Sequence, residues 1–420
     1  MISITVRNLF QMVKGKYYCI SYLIMISFLF ACSLTLQGRG TNQPSTQTPR
    51  PPLLSTIIST ATSSPTVTTT VTPVPTSTPI PVTVSVKKIP APSLKVNLLH
   101  EPDEQIIQIY LPPSYLQSNL HYPVVYFLPG FGSDSDGSNN FFPIEKLTLL
   151  MFDGQIKEMI LVVPNGANVL HGSFYVNSPV TGNWEDFITK DVVDYIDSNY
   201  RTIPRPEGRG IGGHSMGGFG AFNLAMHHPD IYGASYSISP TFFDENGLGN
   251  SVMFDKEKKS FKFLEDQKNL ATLPDRDAIE QMTKYDGAPG FTIAYGAAFA
   301  PNPELGPPFF DYPLENINGR LRTNKPVWNL WQNGLGDWRE KIAKYHDNLM
   351  RLHGIVIDYG SEDSYEWIPE GSEYLSKQLF EAGIPNNIYK FEGGHSDKTH
   401  ERLLTVMLPF FSSVLVSPGE

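Results

Sequence analysis

Cysteine is nearly missing from this chain. Its 420 residues include two, Cys19 and Cys32, and both precede the stretch that reads as a folded body. A disulfide framework, a cysteine nucleophile and a thiolate-bound metal are therefore excluded in that body. Positive charge is also short: 32 Lys and Arg stand against 42 Asp and Glu, a formal net charge of -10. With that balance and no basic stripe to meet a phosphate backbone, nucleic acid is not an expected partner. Charged residues make up 18 % and hydrophobic ones 40 %, the balance of a globular protein rather than a disordered one. Internal repeats are absent too.

The N-terminus reads as an export signal over 1–32. Lys14 and Lys16 precede an apolar run from Tyr17 to Ala31, and a small residue stands before Cys32. The run is short against the roughly 20 apolar residues of a membrane span. Leu29-Phe30-Ala31-Cys32 resembles a bacterial lipobox, with Phe30 departing from the small residue usual at its place, so Cys32 is the expected lipidation site. An uncut anchor helix is the alternative. Either way the body is expected outside the cytoplasm, held to the membrane through its N-terminus. Residues 33–92, rich in Thr, Ser and Pro and poor in aromatics, cannot bury enough apolar surface to offset ordering entropy and read as a disordered stalk.

The body is expected over 93–417. Leu94 to Leu99 and Gln105 to Leu111 read as opening strands. The continuous apolar runs Pro123 to Leu128 and Met159 to Val163 read as strands buried on both faces. Further strands fall at 209–214, 231–237, 355–359 and 387–391, and helices at 144–152, 183–199, 216–227, 369–382 and from about Lys398. This alternation defines an α/β fold with a mostly parallel sheet and helices on both faces. Its loops after the strand C-termini share one edge, where active sites collect. Residues 240–336, rich in Pro, Gly and aromatics, interrupt the alternation as a cap-like insertion, after which Asp337-Trp-Arg-Glu340 reads as a capping box.

Gly213-His214-Ser215-Met216-Gly217 fits the G-x-S-x-G nucleophile elbow of α/β-hydrolases. A serine on a sharp strand-to-helix turn needs neighbours without side-chain bulk two residues before and after. It also needs a base, and the base an orienting acid, in the chain order Ser, acid, His. His395, in the glycine-flanked loop after strand 387–391, is the expected base; His400 competes but falls within the last helix. Asp363, last in the Gly360-Ser-Glu-Asp loop, is favoured as the acid over Asp358 and Glu362 because a loop gives reach. The oxyanion-hole donors are expected to be the backbone N–H groups of Met216 and Phe131. The acidic run Ser133 to Asn140 lacks the distal Glu of a calcium loop and reads as solvated; Trp328, Trp331 and Trp338 read as packing rather than a substrate platform. No metal or cofactor is expected.

These motifs, with Tyr122 to Gly132, Gly182 to Asp186, Asp197 to Thr202, the His-Ser-Met-Gly-Gly core and Gly393-Gly-His395, resemble the putative-esterase family that includes esterase D, feruloyl and enterochelin esterases and the mycolyltransferases. The resemblance spans about 93–416. It implies an α/β-hydrolase fold and places Ser215, Asp363, His395, Met216 and Phe131 in their family roles. Ser396-Asp397-Lys398 follows His395 where many relatives carry an aromatic residue, so substrate does not carry over. The function expected is an extracytoplasmic serine esterase acting on a small-molecule or glycan-linked ester. Acyl transfer through the same acyl-enzyme is the chemical alternative. A tethered binding protein without catalysis is the alternative of another class, and a broken triad would mark it.

Overall fold

The computed structural model describes residues 78–133 and 140–420. Cys32, the export signal, most of the stalk and the bulk of the acidic run lie outside the described residues. Eight strands form one sheet: β1 Thr83–Pro90, β2 Glu104–Leu111, β3 Val124–Leu128, β4 Ile160–Pro164, β5 Arg209–His214, β6 Ala234–Ile238, β7 Gly354–Gly360 and β8 Asn387–Phe391. Their spatial order is β1-β2-β4-β3-β5-β6-β7-β8. Pairing is parallel from β4 through β8, and β2 runs antiparallel to both its neighbours.

The apolar runs behave as a doubly covered sheet requires. Every residue of β3, β4 and β6 is buried. Val125 and Phe127 point into one core, with helix α1 (Ile144–Phe152) and the closing helix 399–414. Val124, Tyr126 and Leu128 point into the other, with α2 (Met216–His227) and the cap. The period-2 alternation of a strand thus feeds both cores from one continuous hydrophobic stretch.

Three expectations change. The body opens about ten residues earlier than expected, because Thr83–Pro90 is a full edge strand, paired along eight residues with β2. Only Ile89 of β1 is buried, with Val84 packed against the second core, so the strand is held mainly by its main-chain hydrogen bonds to β2, beside an exposed Lys88–Glu104 ion pair of 2.7 Å. Leu94 to Leu99 is not a strand. A 3-10 turn, Pro92–Leu94, leads into a loop closed by Asn97, whose side chain donates to Leu94 O at 2.8 Å and accepts from Glu101 N at 2.9 Å. Asp337 caps nothing with its side chain: it sits at φ +54°, and the helix it was to open runs Trp338–Lys344 and breaks at Tyr345. A left-handed backbone aims that carboxylate away from the first-turn amides.

Between β6 and β7 the chain builds the cap: helices Glu257–Leu270, Asp275–Met282, Gly287–Phe299 and Lys325–Leu335, with a hairpin of Leu314–Ile317 and Arg320–Thr323. Trp331 and Trp338 are wholly buried, Trp331 against Tyr295 and Phe310, and Trp338 against Phe222 and Phe242. These rings hold the cap and present no face to a substrate. Among the described residues no helix is long and apolar enough to cross a membrane.

Candidate active site

Ser215 stands between β5 and α2 with φ +56° and ψ −119°, backbone that a side-chain-bearing residue rarely adopts. Two glycines permit it. A Cβ on Gly213 would lie 2.1 Å from Gly217 O, and one on Gly217 would lie 1.9 Å from Leu128 O. The G-x-S-x-G spacing is therefore a steric requirement, met where the turn is wedged against the end of β3. Ser215 N–H donates to Ile238 O at 2.9 Å, tying the elbow to β6.

The loops after β7 and β8 bring the other two side chains in. Ser215 Oγ lies 2.9 Å from His395 Nε2, and His395 Nδ1 lies 2.7 Å from Asp363 Oδ2. The Asp363 side chain is fully buried and that of His395 is 15 % exposed. Asp363 Oδ1 accepts Tyr365 N–H at 2.9 Å, which leaves Oδ2 for the imidazole. An ionised carboxylate only accepts, so His395 donates from Nδ1 and presents Nε2 as acceptor to the serine hydroxyl. The competing acids go elsewhere. Asp358 is buried in a two-pronged pair with Arg402 (2.8 and 3.0 Å) and accepts Tyr236 OH at 2.6 Å. Glu362 is exposed, and His400 is exposed on the closing helix.

The expected oxyanion donors flank the serine. Met216 N–H is the first of α2, whose positive dipole end faces the site. Phe131 is in the turn after β3, whose neighbours are held by Gly132 N–H to His171 O (2.8 Å) and Ser133 N–H to Gly130 O (3.2 Å). Neither amide donates to a backbone carbonyl among the described residues. A cavity of about 520 Å³ opens over these groups, lined by Phe131, Phe291, Tyr365, Trp367 and His171 among others. The cap contributes Phe291 and Asp286 to that wall.

Several site residues were invisible in the sequence. His214 was only the x of the elbow. Its Nε2–H donates to His395 O at 2.8 Å and its ring lies 4.9 Å from that of His395, so it anchors the backbone of His395. Burial, with His395 beside it, pushes His214 down to about 4. Tyr365 packs edge-on to His395 at 5.0 Å. Thr241 and Trp367 line the cavity, and the Thr241 hydroxyl and the Trp367 indole N–H are buried without a hydrogen-bond partner among the described residues. Proximity to Asp363 was the one available signal for Tyr365 and Trp367; Thr241 and His171 had none.

The depressed His214 has a measurable consequence. The unfolded chain takes up a proton near the ordinary histidine value of about 6.5, and the folded chain does so only near 4. The neutral-His214 contribution to stability is complete above about pH 6.5 and is lost as pH falls toward 4. Urea unfolding at several pH values is expected to show the wild type losing stability through this window relative to His214→Gln. Parallel curves would show that His214 does not titrate as described.

A serine, an imidazole and a carboxylate thus stand in a hydrogen-bonded row on an α/β-hydrolase sheet, the arrangement a serine hydrolase requires. The chain belongs to the family described as "Putative esterase", which matches residues 102–411. Esterase Rv1288 of Mycobacterium tuberculosis is 34 % identical over 139 residues, 32 % of this chain and 28 % of that one. The diacylglycerol acyltransferase/mycolyltransferase Ag85A of Mycobacterium ulcerans is 36 % identical over 73 residues, 17 % of this chain and 21 % of its own. The chain thus spans less than a third of the length of these curated relatives. A solved ferulic acid esterase shares the fold, with a TM-score of 0.50 at 20 % identity over 80 % of this chain and 99 % of that one.

Proposed function

We propose that the chain is a serine esterase that hydrolyses carboxylic esters outside the cytoplasm. What carries the reading is the row of two hydrogen bonds from Ser215 through His395 to Asp363. Ser215 Oγ attacks the ester carbonyl as its proton passes to His395 Nε2, and Asp363 stabilises the imidazolium that forms. The N–H groups of Met216 and Phe131 receive the oxyanion. Collapse expels the alcohol, which takes the proton from His395. A water activated by the same imidazole then releases the acid and restores the serine.

The cavity's size suits a small-molecule ester or an ester group carried on a larger molecule such as a glycan, and its aromatic wall suits an apolar portion of that substrate. The test is labelling with a fluorophosphonate, followed by turnover of short-chain, aryl and sugar esters with and without an added alcohol. Labelling of the wild type and none of Ser215→Ala, with free acid as product, supports the reading. Labelling that survives Ser215→Ala rejects it, and an ester of the added alcohol as main product assigns acyl transfer instead.

The location rests on the sequence: the basic flank, the short apolar run and the near-lipobox ending at Cys32, followed by a Thr/Pro-rich tether. Lipidation of Cys32 holds the enzyme at a bacterial membrane. Cys32→Ser is expected to release the protein into the medium or to leave its signal uncut. N-terminal sequencing of a mature wild-type form that begins at another residue rejects the assignment.

A further inference from the structure

At the far end of the nucleophile helix, three metal-ligating side chains converge. Glu185 Oε1 lies 3.2 Å from His227 Nδ1 and 2.7 Å from His228 Nε2. All three ligand atoms fall within 4.8 Å of one another. The side chains are partly buried, 18 % exposed for Glu185, 25 % for His227 and 24 % for His228. From these residues we propose a binding site for a divalent transition-metal ion of the zinc class, formed by Glu185, His227 and His228.

The geometry suits such an ion. Zinc bonds to imidazole nitrogen and carboxylate oxygen are about 2.0–2.2 Å, which sets neighbouring ligand atoms of a tetrahedral site about 3.3 Å apart. The Glu185–His227 contact is already there, and the His228 contact needs about half an ångström of opening, within reach of a small side-chain rotation. Two imidazoles and one carboxylate are donors that zinc accepts, and three protein ligands leave a fourth position open. His227 ends α2 and His228 caps it, so the negative end of the helix dipole faces the cation.

The backbone under Glu185 is also unusual. Helix 184–199 begins as an α-turn, Trp184–Asp186, and widens at once into a π-helical stretch, Phe187–Val192. Wide turns of this kind are rare and concentrate at functional sites. A cavity of about 390 Å³ lies against Glu185 and His227, with Asn177, Asn223 and Tyr345 in its wall. The nearby lysines are otherwise engaged: Lys341 donates to Gly334 O at 3.0 Å, and Lys344 lies over the Tyr345 ring.

Twelve residues of α2 at about 1.5 Å each put the site roughly 18 Å from Ser215. At that distance the ion takes no part in ester chemistry. It pins the distal end of the helix that carries the elbow to helix 184–199, and it stabilises the fold through binding to the native state alone.

The full chain, stripped with a chelator, is titrated with Zn²⁺ by calorimetry and with Co²⁺ by visible absorption. One ion per chain at micromolar Kd or tighter is expected, with an upward Tm shift of a few degrees in excess metal and a cobalt d–d band. Glu185→Gln and His228→Gln should each weaken binding at least about tenfold, while His395→Ala should leave it unchanged. No stoichiometric uptake by the wild type at tens of micromolar Zn²⁺ overturns the proposal. So does binding that survives both substitutions, or binding that is lost with His395→Ala. If the substituted chains fail to fold, the stoichiometry and cobalt spectrum of the wild type and of His395→Ala still decide.

Discussion

Ser215→Ala is expected to lower kcat/KM for ester substrates by at least about 10³-fold and to leave the thermal midpoint nearly unchanged. The two halves of that result come from different parts of the site. The strained turn is held by the close approach of Gly213 and Gly217 to each other and to Leu128, and by Ser215 N–H donating to Ile238 O. None of these contacts uses the hydroxyl, so an alanine inherits the same backbone. Losing Oγ removes the proposed nucleophile and the 2.9 Å contact to His395, and no other hydroxyl among the described residues hydrogen-bonds that imidazole. Residual rate comes from the amides of Met216 and Phe131 and from binding in the cavity. A variant that retains more than about a tenth of wild-type turnover, with intact folding by circular dichroism, would place the nucleophile elsewhere.

The elbow was legible in the sequence because its chemistry is compressed into five consecutive residues whose glycines have a steric reason. His395 and Asp363 were legible for a second reason. Each follows an apolar run short enough to be a strand, and a parallel sheet sends all such loops to one edge. What stayed hidden depends on partners distant in the chain. Edge strand β1 alternates only briefly, Val82, Val84 and Val86 with Thr83 and Ser85, before Lys87 and Lys88 break the pattern, and its proline- and threonine-rich neighbours suggested a tether. Asp337 has the composition of a capping box, but its left-handed backbone cancels the cap. Glu185 meets His227 and His228 across 42 and 43 residues, and no spacing rule connects them. His214 matters through the carbonyl of His395, 181 residues away.

Asp363→Asn is expected to cut kcat by about 10³- to 10⁴-fold with little change in stability, and Asp358→Asn to do the reverse. Asp363 Oδ2 holds the Nδ1–H of His395, which fixes the tautomer whose Nε2 can take the serine proton. Asparagine keeps the shape, but its amide can turn an N–H toward Nδ1. That favours the tautomer with the proton on Nε2, where it blocks the transfer, and it withdraws the negative charge that stabilises the imidazolium. Glu362 offers no substitute: it is exposed, and its amide is committed to Gly393 O at 2.9 Å. Asp358 sits wholly buried against Arg402 and Tyr236. Removing its charge strands a guanidinium that is largely buried, at a cost on the order of 3 kcal/mol or more in unfolding free energy. The pair of variants therefore separates catalysis from architecture. Steady-state kinetics and urea unfolding on both proteins check it, with Glu362→Gln, close to wild type in each, as the neighbouring control. Should Asp363→Asn turn over normally while Glu362→Gln fails, the orienting carboxylate is Glu362, and the loop after β7 adopts a different arrangement when substrate is bound.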